Sequence, residues 1–215
     1  MGWSYDGTHP ATVIFTAALE TGAPLRFAPW MQILEIGCAE HDWLTLASSA
    51  WPETYFVGID TRAQDTSECD GRILRRQADA MNPELFAPGS FDAVVSLSAI
   101  EHIGLGHYGD PLDADGDSKA VANAWRWLKP GGWLYLDVPY SPVGYRVCGT
   151  SHRQYDDEAL FRRLVPAEWS ANNYRGGLWS GYAHRNACGT LVDRPTIQGS
   201  PEDFDHYVAM LWQKA

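Results

Sequence analysis

The chain has 215 residues and a formal net charge of −11, and 45% of its residues are hydrophobic. This length and composition predict one folded domain over residues 1–215 and exclude a disordered chain. So acidic a surface disfavours nucleic-acid substrates and anionic membranes, because both carry negative charge.

The cysteines and the N-terminus give no sign of a metal site or of export. No two of the four cysteines, Cys38, Cys69, Cys148 and Cys188, have C-x-x-C spacing. The N-terminus lacks a signal peptide, and no apolar run is long enough to span a membrane. We therefore expect a cytoplasmic protein with free thiols, no metal and no membrane contact; two disulfides are the alternative.

Helical and extended segments alternate along the chain. Helices are predicted at residues 11–21, 42–51, 118–128 and 156–165, the third with Asp117 as its N-cap. Strands are predicted at 32–37, 54–60, 72–79, 90–98 and 133–140, with a break at 129–132 and a final edge strand in 205–215. Because the apolar runs of the strands are continuous, we predict an α/β fold with an open, mostly parallel sheet between helices.

The segment "LEIGCAE" (34–40) predicts a strand that enters a tight turn before a helix. Gly37 allows a close backbone approach to a ligand, and Glu35 and Asp60 are acids near the ends of neighbouring strands. Such acids suit a nucleoside, although a common strand-to-helix turn has the same features. A dehydrogenase is disfavoured because the turn lacks the pattern G-x-G-x-x-G.

Five segments resemble, in order and spacing, the motifs of the class I S-adenosylmethionine-dependent methyltransferases. They are "LEIGCAE" (34–40), "VGID" (57–60), "QADA" (77–80), "FDAVVSLSAIEHIG" (91–104) and "WLKPGGWLYLDVP" (127–139). The resemblance implies a Rossmann-like, seven-stranded sheet with an antiparallel C-terminal strand, and S-adenosyl-L-methionine as cofactor. It divides the chain into an N-terminal cap (1–30), a cofactor-binding core (31–140) and a substrate-side segment (141–215).

Within that family, two segments resemble a poorly characterised bacterial subgroup. They are a Leu-Gly-x-Tyr-Gly-Asp-Pro stretch at residues 105–111 and "HRQY" at 152–155. The subgroup suggests a substrate from carbohydrate or secondary-metabolite biosynthesis.

The family resemblance also implies individual roles around the cofactor. Glu35, Gly37 and Ala39 would line its methionine end, Asp60 would bind the ribose, Asp79 and Ala80 the adenine, and Ser96 would pass beneath the sulfonium. The chain departs from the family at Ala39 and His41, where glycine is common.

Methyl transfer to oxygen or nitrogen can require a base, and three side chains are candidates. His102 and Glu101 follow the fourth strand, where the methyl group is expected, and His102 titrates near neutrality. His152 follows the fifth strand. The alternative for Glu101 and His102 is that one of them braces the next helix.

Substrate contacts are predicted from residues that flank the core. They are Trp3, Tyr5, His107, Tyr108, Arg153 and Tyr155. Arg153 suits a carboxylate or phosphate, or instead pairs with Asp156 or Asp157. Aromatic residues near the N-terminus and at 172–185 suit a lid over the acceptor, or ordinary packing.

The four aspartates of residues 104–117 suggest a divalent cation or, as an alternative, a turn with Asp117 as N-cap. We favour the turn, because the spacing does not fit a calcium loop.

These features favour a methyltransferase acting on a small molecule, with oxygen preferred over nitrogen as acceptor, in a monomer or homodimer. Two alternatives remain. One is a protein that binds the cofactor without methyl transfer, and the other is an enzyme of the same fold with other chemistry.

Overall fold

The computed structural model describes residues 27–39, 43–64, 71–141, 143–165, 183–185, 191–192 and 207–214. The elements are β1 (Gln32–Ile36), α1 (Trp43–Ala50), β2 (Tyr55–Asp60), β3 (Ile73–Gln77), β4 (Phe91–Leu97), α2 (Gly116–Trp127), β5 (Leu128–Pro139), β6 (Arg146–Cys148), β7 (His152–Gln154), α3 (Asp157–Ala159), β8 (Ala183–Arg185), β9 (Leu191–Val192) and β10 (Tyr207–Gln213). A 3₁₀ turn spans Ile100–His102, and a π-helical turn, Leu160–Leu164, continues α3. The helix predicted at 11–21 lies outside the described residues.

The central sheet has the strand order β3-β2-β1-β4-β5-β10-β8-β9. Strands β1 to β5 pair in parallel, whereas β10 is antiparallel to both β5 and β8. The predicted α/β class, with a mostly parallel sheet and an antiparallel C-terminal strand, is confirmed. Within the described ranges this sheet has eight strands rather than seven. Strands β6 and β7 form a separate two-stranded sheet.

Alternate side chains of the central strands enter two separate cores. Leu34 of β1 and Val94 of β4 belong to the core that packs on α2. Ile33 of β1 and Val95 of β4 belong to the core that packs on α1. Both faces of these strands are therefore buried, which is the physical reason for their continuous apolar runs.

The sheet places the candidate site between β1 and β4. The chain runs outward from β1 through β2 to β3, then returns to the other side of β1 as β4. The loops after β1 and β4 therefore diverge at the carboxyl end of the sheet, where open α/β sheets have their ligand crevice.

Three predicted elements differ from the structure. Asp117 is not an N-cap: α2 begins at Gly116, and the Asp117 carboxylate is buried and accepts from Tyr155 and Arg163. Residues 129–132 do not end a segment but lie within β5, where a register shift opposite β4 accommodates them. Strand β10 is not an edge strand, because β8 pairs with its outer side.

Candidate functional site

A cleft opens at the carboxyl ends of β1, β2 and β4, and its empty space, including the open solvent at its mouth, is about 600 Å³. Among the residues that line it are Gly37, Asp60, Asp79, Ser98, His102 and Tyr108.

Gly37 forms the turn between β1 and the cavity. Its φ is +90°, and a Cβ there would lie 2.2 Å from the Cβ of Ala99. Its N–H donates to the carbonyl of Ile59 at 2.8 Å, which ties the turn to β2. The position excludes a side chain on both conformational and steric grounds, so bare backbone faces the cavity.

Asp60 ends β2 at the cavity wall, and its carboxylate has several partners. It accepts from the N–H groups of Ala39 and Arg62 at 3.2 and 2.9 Å. The Arg62 guanidinium donates through Nε and Nη2, both at 2.9 Å. The same guanidinium lies 4.0 Å from the centre of the Tyr108 ring. Arg62 therefore covers the carboxylate of Asp60, the residue predicted to bind the ribose. No sequence motif indicated Arg62.

Asp79 and Ala80 line the cavity beyond β3. Asp79 Oδ1 accepts the N–H of Met81 at 2.8 Å, and the Ala80 carbonyl accepts from Asn123 Nδ2 at 2.9 Å. These bonds hold the predicted adenine-binding turn in place against α2.

Three residues of the predicted cofactor set do not line the cavity. Glu35 is fully buried within β1, and burial raises the pKa of its carboxyl. Ser96 is buried within β4 and donates to the Ile36 carbonyl at 3.3 Å. Ala39 is exposed, and its N–H donates a hydrogen bond to Asp60. Because strand residues alternate between faces, Glu35 and Ser96 point into packed layers rather than into the crevice.

His102 lines the cavity and has a defined tautomer. Its Nδ1 lies 2.5 Å from the carbonyl oxygen of Ser151, which can only accept, so Nδ1 carries the proton. In the neutral ring the lone pair therefore lies on Nε2, and a nitrogen lone pair is what a general base requires. Nε2 lies 3.8 Å from Glu101 Oε1.

Behind this wall lie two buried acids, Glu101 and Asp137, that share Ser98. Ser98 Oγ donates to Glu101 Oε1 at 2.6 Å, and the Ser98 N–H donates to Asp137 Oδ1 at 2.6 Å. The backbone of Ser98 has a φ of +49°, a conformation uncommon outside glycine. The sequence did not single out Ser98 or Asp137, although an acid within the apolar run "WLYLDVP" was a signal.

His152 is buried beside the site and does not line the cavity. Its Nδ1 contacts Ser151 Oγ at 3.0 Å, and its ring lies 6.3 Å from that of His102. Burial, together with the neighbouring His102, lowers the pKa of His152 to about 4. The ring is therefore neutral near pH 7. His152 supports the site structurally and does not line it.

Arg153 and Tyr155 are fully buried, so their predicted roles as substrate contacts are wrong. The Arg153 guanidinium donates to the carbonyls of Glu101, Ile103, Asp113 and Ala114. Its pairing with Asp156 or Asp157 is wrong as well, because its Nε lies 3.6 Å from Asp117. The Tyr155 hydroxyl donates to Asp117 at 2.9 Å. Both residues fasten the loop 101–117 to β7.

The aspartates of this loop are bound to protein groups. Asp110 accepts the N–H groups of Gly104 and Gly106 at 2.6 and 3.2 Å. Asp113 pairs with Lys119, and Asp117 lies 2.6 Å from Arg163. In the described part of the chain, no group of three or more metal-binding side chains has a geometry that could hold an ion.

His107 is exposed; its ring stacks on that of His102 at 5.8 Å and meets the ring of the half-buried Tyr108 edge-on at 4.5 Å. Trp3, Tyr5 and His41 lie outside the described residues, as does most of the predicted lid at 172–185. No described helix is both long and apolar enough to cross a membrane.

The sequence is similar to two curated methyltransferases. The chain is 25% identical over 115 residues to methyltransferase str3 of Strobilurus tenacellus, across 54% of this chain and 38% of that protein. It is 20% identical over 161 residues to trans-aconitate 2-methyltransferase of Deinococcus radiodurans, across 74% of this chain and 58% of that protein. The chain thus spans well under two thirds of the length of either relative.

A family model and a solved structure extend these matches. The model is described as "Caenorhabditis protein of unknown function, DUF268" and matches residues 76–171, less than half of the chain. The solved structure is the 1,6-didemethyltoxoflavin-N1-methyltransferase of Burkholderia thailandensis with bound 1,6-didemethyltoxoflavin and S-adenosylhomocysteine. It aligns with a TM-score of 0.57 and 14% identity over 97% of this chain and 78% of that one. These matches confirm the resemblance to class I S-adenosylmethionine-dependent methyltransferases, whose fold this chain has.

Proposed function

We propose that the protein is a methyltransferase that uses S-adenosyl-L-methionine and acts on a small molecule. The observation that carries this proposal is the cavity at the divergence of β1 and β4, with Gly37, Asp60 and Asp79 in its wall. Gly37 leaves room for a ligand at the turn, and the two acids are candidate acceptors for a ribose and an adenine amino group. The names of the curated relatives support methyl transfer.

The residues present fit this cofactor under one condition. Asp60 is the candidate for the ribose hydroxyls, and Asp79 with Ala80 for the adenine. The Arg62 guanidinium must leave the Asp60 carboxylate before hydroxyl groups can donate to it. When bound, the cofactor supplies a methyl group that its sulfonium charge has already activated.

His102 is the proposed base for the acceptor. Its Nε2 lone pair can take the proton of a hydroxyl or amino group while Nδ1 stays bonded to the Ser151 carbonyl. A neighbouring carboxyl, Glu101, lies close enough to stabilise the resulting imidazolium. Oxygen is the favoured acceptor atom because His102 can serve as the base, and nitrogen is the second choice.

A small acceptor suits both the molecule and its relatives. The site is a cleft at one edge of the sheet, and the net charge of −11 disfavours nucleic acids. Trans-aconitate and 1,6-didemethyltoxoflavin, named for the relative and the solved structure, are small molecules. A role in secondary-metabolite or carbohydrate biosynthesis, a cytoplasmic location and a monomer or homodimer belong to the same proposal.

Calorimetric titration with S-adenosylhomocysteine and, separately, NADH tests the cofactor. We expect micromolar binding of the first only, weakened about tenfold or more in Asp60→Ala through the loss of charged hydrogen bonds. Asp157→Ala removes the same charge from an exposed position and is the matched control. Failure of the wild type to bind S-adenosylhomocysteine would contradict the proposal.

Replacement of His102 tests catalysis apart from binding. In His102→Gln, S-adenosylhomocysteine should bind as in the wild type, while turnover of an acceptor found by screening should fall about 100-fold or more. A cofactor-binding protein without activity would instead give no turnover with any hydroxylated or aminated acceptor in the wild type.

A further inference from the structure

Two carboxyl groups lie directly behind the cavity wall at the carboxyl end of β4. Ser98 and His102 form that wall, and each contacts Glu101, at 2.6 Å from Ser98 Oγ and 3.8 Å from His102 Nε2. Asp137 lies behind the same serine, 2.6 Å from its N–H. Glu101 is 1% exposed and Asp137 is fully buried. One layer of protein atoms therefore separates both acids from the cavity.

One basic side chain, His102, lies beside this pair, with its Nε2 3.8 Å from Glu101 Oε1. In the region that the structure describes, no lysine or arginine nitrogen lies within ion-pair distance of either carboxylate. Arg153 faces Glu101 from β7, but its guanidinium donates to backbone carbonyls and approaches Asp117. On β5, the Tyr135 hydroxyl donates to Asp137 Oδ2 at 3.2 Å.

The local backbone also indicates a constructed site. Ser98 keeps a φ of +49° while its hydroxyl and its N–H are each held by one of the two acids. Sparsely populated backbone conformations are retained where the surroundings enforce them, and they concentrate at functional sites. The two carboxyl groups thus hold Ser98 in the cavity wall, although burial removes both of them from water.

We propose that Glu101 and Asp137 form a negative wall that makes the cavity prefer a positively charged ligand over a neutral ligand of the same shape. This inference rests on the proposed function, for which the two ligands are the sulfonium cofactor and its thioether product. S-adenosylmethionine carries a positive sulfonium, whereas S-adenosylhomocysteine is neutral at that sulfur and otherwise has the same charged groups. The wall therefore favours substrate cofactor over spent cofactor and promotes release of the product.

The preference depends on pH, because the wall must be ionised to attract a cation. Burial raises the pKa of Glu101 to about 7, and burial together with Glu101 raises the pKa of Asp137. The titratable and charged groups that face Glu101 are His102, Arg153, Tyr155 and Asp137, and the Ser98 hydroxyl donates to it. A bound cation favours the carboxylate, so binding releases a proton below about pH 7 and tightens as the pH rises.

Calorimetry with the two nucleosides in buffers of different ionisation enthalpy measures this linkage without an acceptor. At about pH 6.5 we expect the wild type to release a fraction of a proton on binding S-adenosylmethionine and none on binding S-adenosylhomocysteine. The ratio of the two dissociation constants should change about tenfold in favour of the thioether in Glu101→Gln. Asp137→Asn should shift the ratio in the same direction.

A matched control and the wild type keep the result interpretable. Glu84→Gln makes the same chemical change at an exposed surface pair with Arg126 and should leave the ratio unchanged. Equal proton release with both ligands, or an unchanged ratio in Glu101→Gln, would overturn the negative wall. Absence of binding by both nucleosides would instead overturn the proposed function. The proton measurement needs no variant, so an unfolded variant does not remove the test.

Discussion

The acids of the loop 104–117 and the acids behind Ser98 stand in opposite electrostatic situations. Asp113 and Asp117 pair with Lys119 and Arg163. Glu101 and Asp137 instead accept from hydroxyl and backbone N–H groups; His102 Nε2 lies 3.8 Å from Glu101, and no lysine or arginine among the described residues forms an ion pair with either acid. The first group stabilises a loop, while burial raises the pKa values of the second group and favours their protonated form.

This difference teaches that a cluster of acids in a sequence does not by itself indicate a binding site. Paired acids have their charge compensated within the protein, as an arginine compensates Asp117. Buried acids without such a partner have raised pKa values, as Glu101 and Asp137 do. A raised pKa alone does not mark a functional acid, because Glu35 has one within a packed layer; a position beside the cavity is needed as well.

Arg153→Met should have the largest effect on stability, because it removes a buried cation from the region where acids are paired with basic side chains. The change leaves the Glu101, Ile103, Asp113 and Ala114 carbonyls without their guanidinium donor. We expect the free energy of unfolding to fall by about 3–5 kcal/mol, measured by urea denaturation. Arg162→Met is the matched control; its pair with Glu158 is exposed, so the loss should be about 0.5 kcal/mol or less. Equal losses would contradict the structural role of Arg153.

Glu101→Gln should make stability less dependent on pH. The folded protein raises the pKa of Glu101 from 4.5 to about 7, so it favours the protonated carboxyl. The wild type therefore loses stability as the pH rises from about 4.5 to about 7, by at most about 3 kcal/mol, and the variant lacks this loss. His152 acts in the opposite direction between about 4 and 6.5 but is common to both proteins.

The measurement is the difference in unfolding free energy between the two proteins at about pH 5 and about pH 8. Relative to the wild type, the variant should gain stability at the higher pH. An identical difference at both values would show that Glu101 has the same pKa in the folded and unfolded chain.

Arg62→Leu tests the effect of charge pairing at Asp60, an acid that has an arginine partner and also lines the cavity. If ribose hydroxyls must displace the guanidinium, its removal should tighten S-adenosylhomocysteine binding about fivefold, or about 1 kcal/mol. Arg126→Leu, at the surface pair with Glu84, is the control for a lost exposed arginine. Weaker binding in Arg62→Leu would instead show that Arg62 contributes to the nucleoside site.

Asp113→Asn should have the smallest effect. Lys119 lowers the pKa of Asp113, but both groups are solvent-exposed, so salt and water screen their attraction. We expect a small fall in the thermal midpoint at neutral pH that disappears in about 1 M salt. Because the asparagine Oδ1 can still accept the Asp115 N–H, a salt-independent fall would show that Asp113 does not act through its charge.

Much of the fold could be predicted because it follows from local patterns. The strands β1, β2 and β4 are continuous apolar runs, and both of their faces are buried. Gly37 and Asp60 stand at strand ends, and parallel strands bring such ends to one edge. That is why these two residues, predicted from the sequence, both line the cavity.

The rest of the site depends on partners that are distant in the chain. Arg153 and Tyr155 were interpreted as substrate contacts, but their partner Asp117 lies more than 30 positions earlier. Nothing next to Arg62 in the sequence indicates that it lies over Tyr108. Local spacing cannot report such pairs, because loop geometry determines them.

The sequence by itself determined the alternation of strands and helices, the turn at Gly37 and the acid at the end of β2, because each depends on neighbouring residues and on backbone geometry. The tertiary structure decided which acids are compensated. It placed Asp117 beside Arg163 and Glu101 beside Ser98, and it removed water from both. Charge compensation depends on distance and desolvation in three dimensions, which residue order alone does not specify.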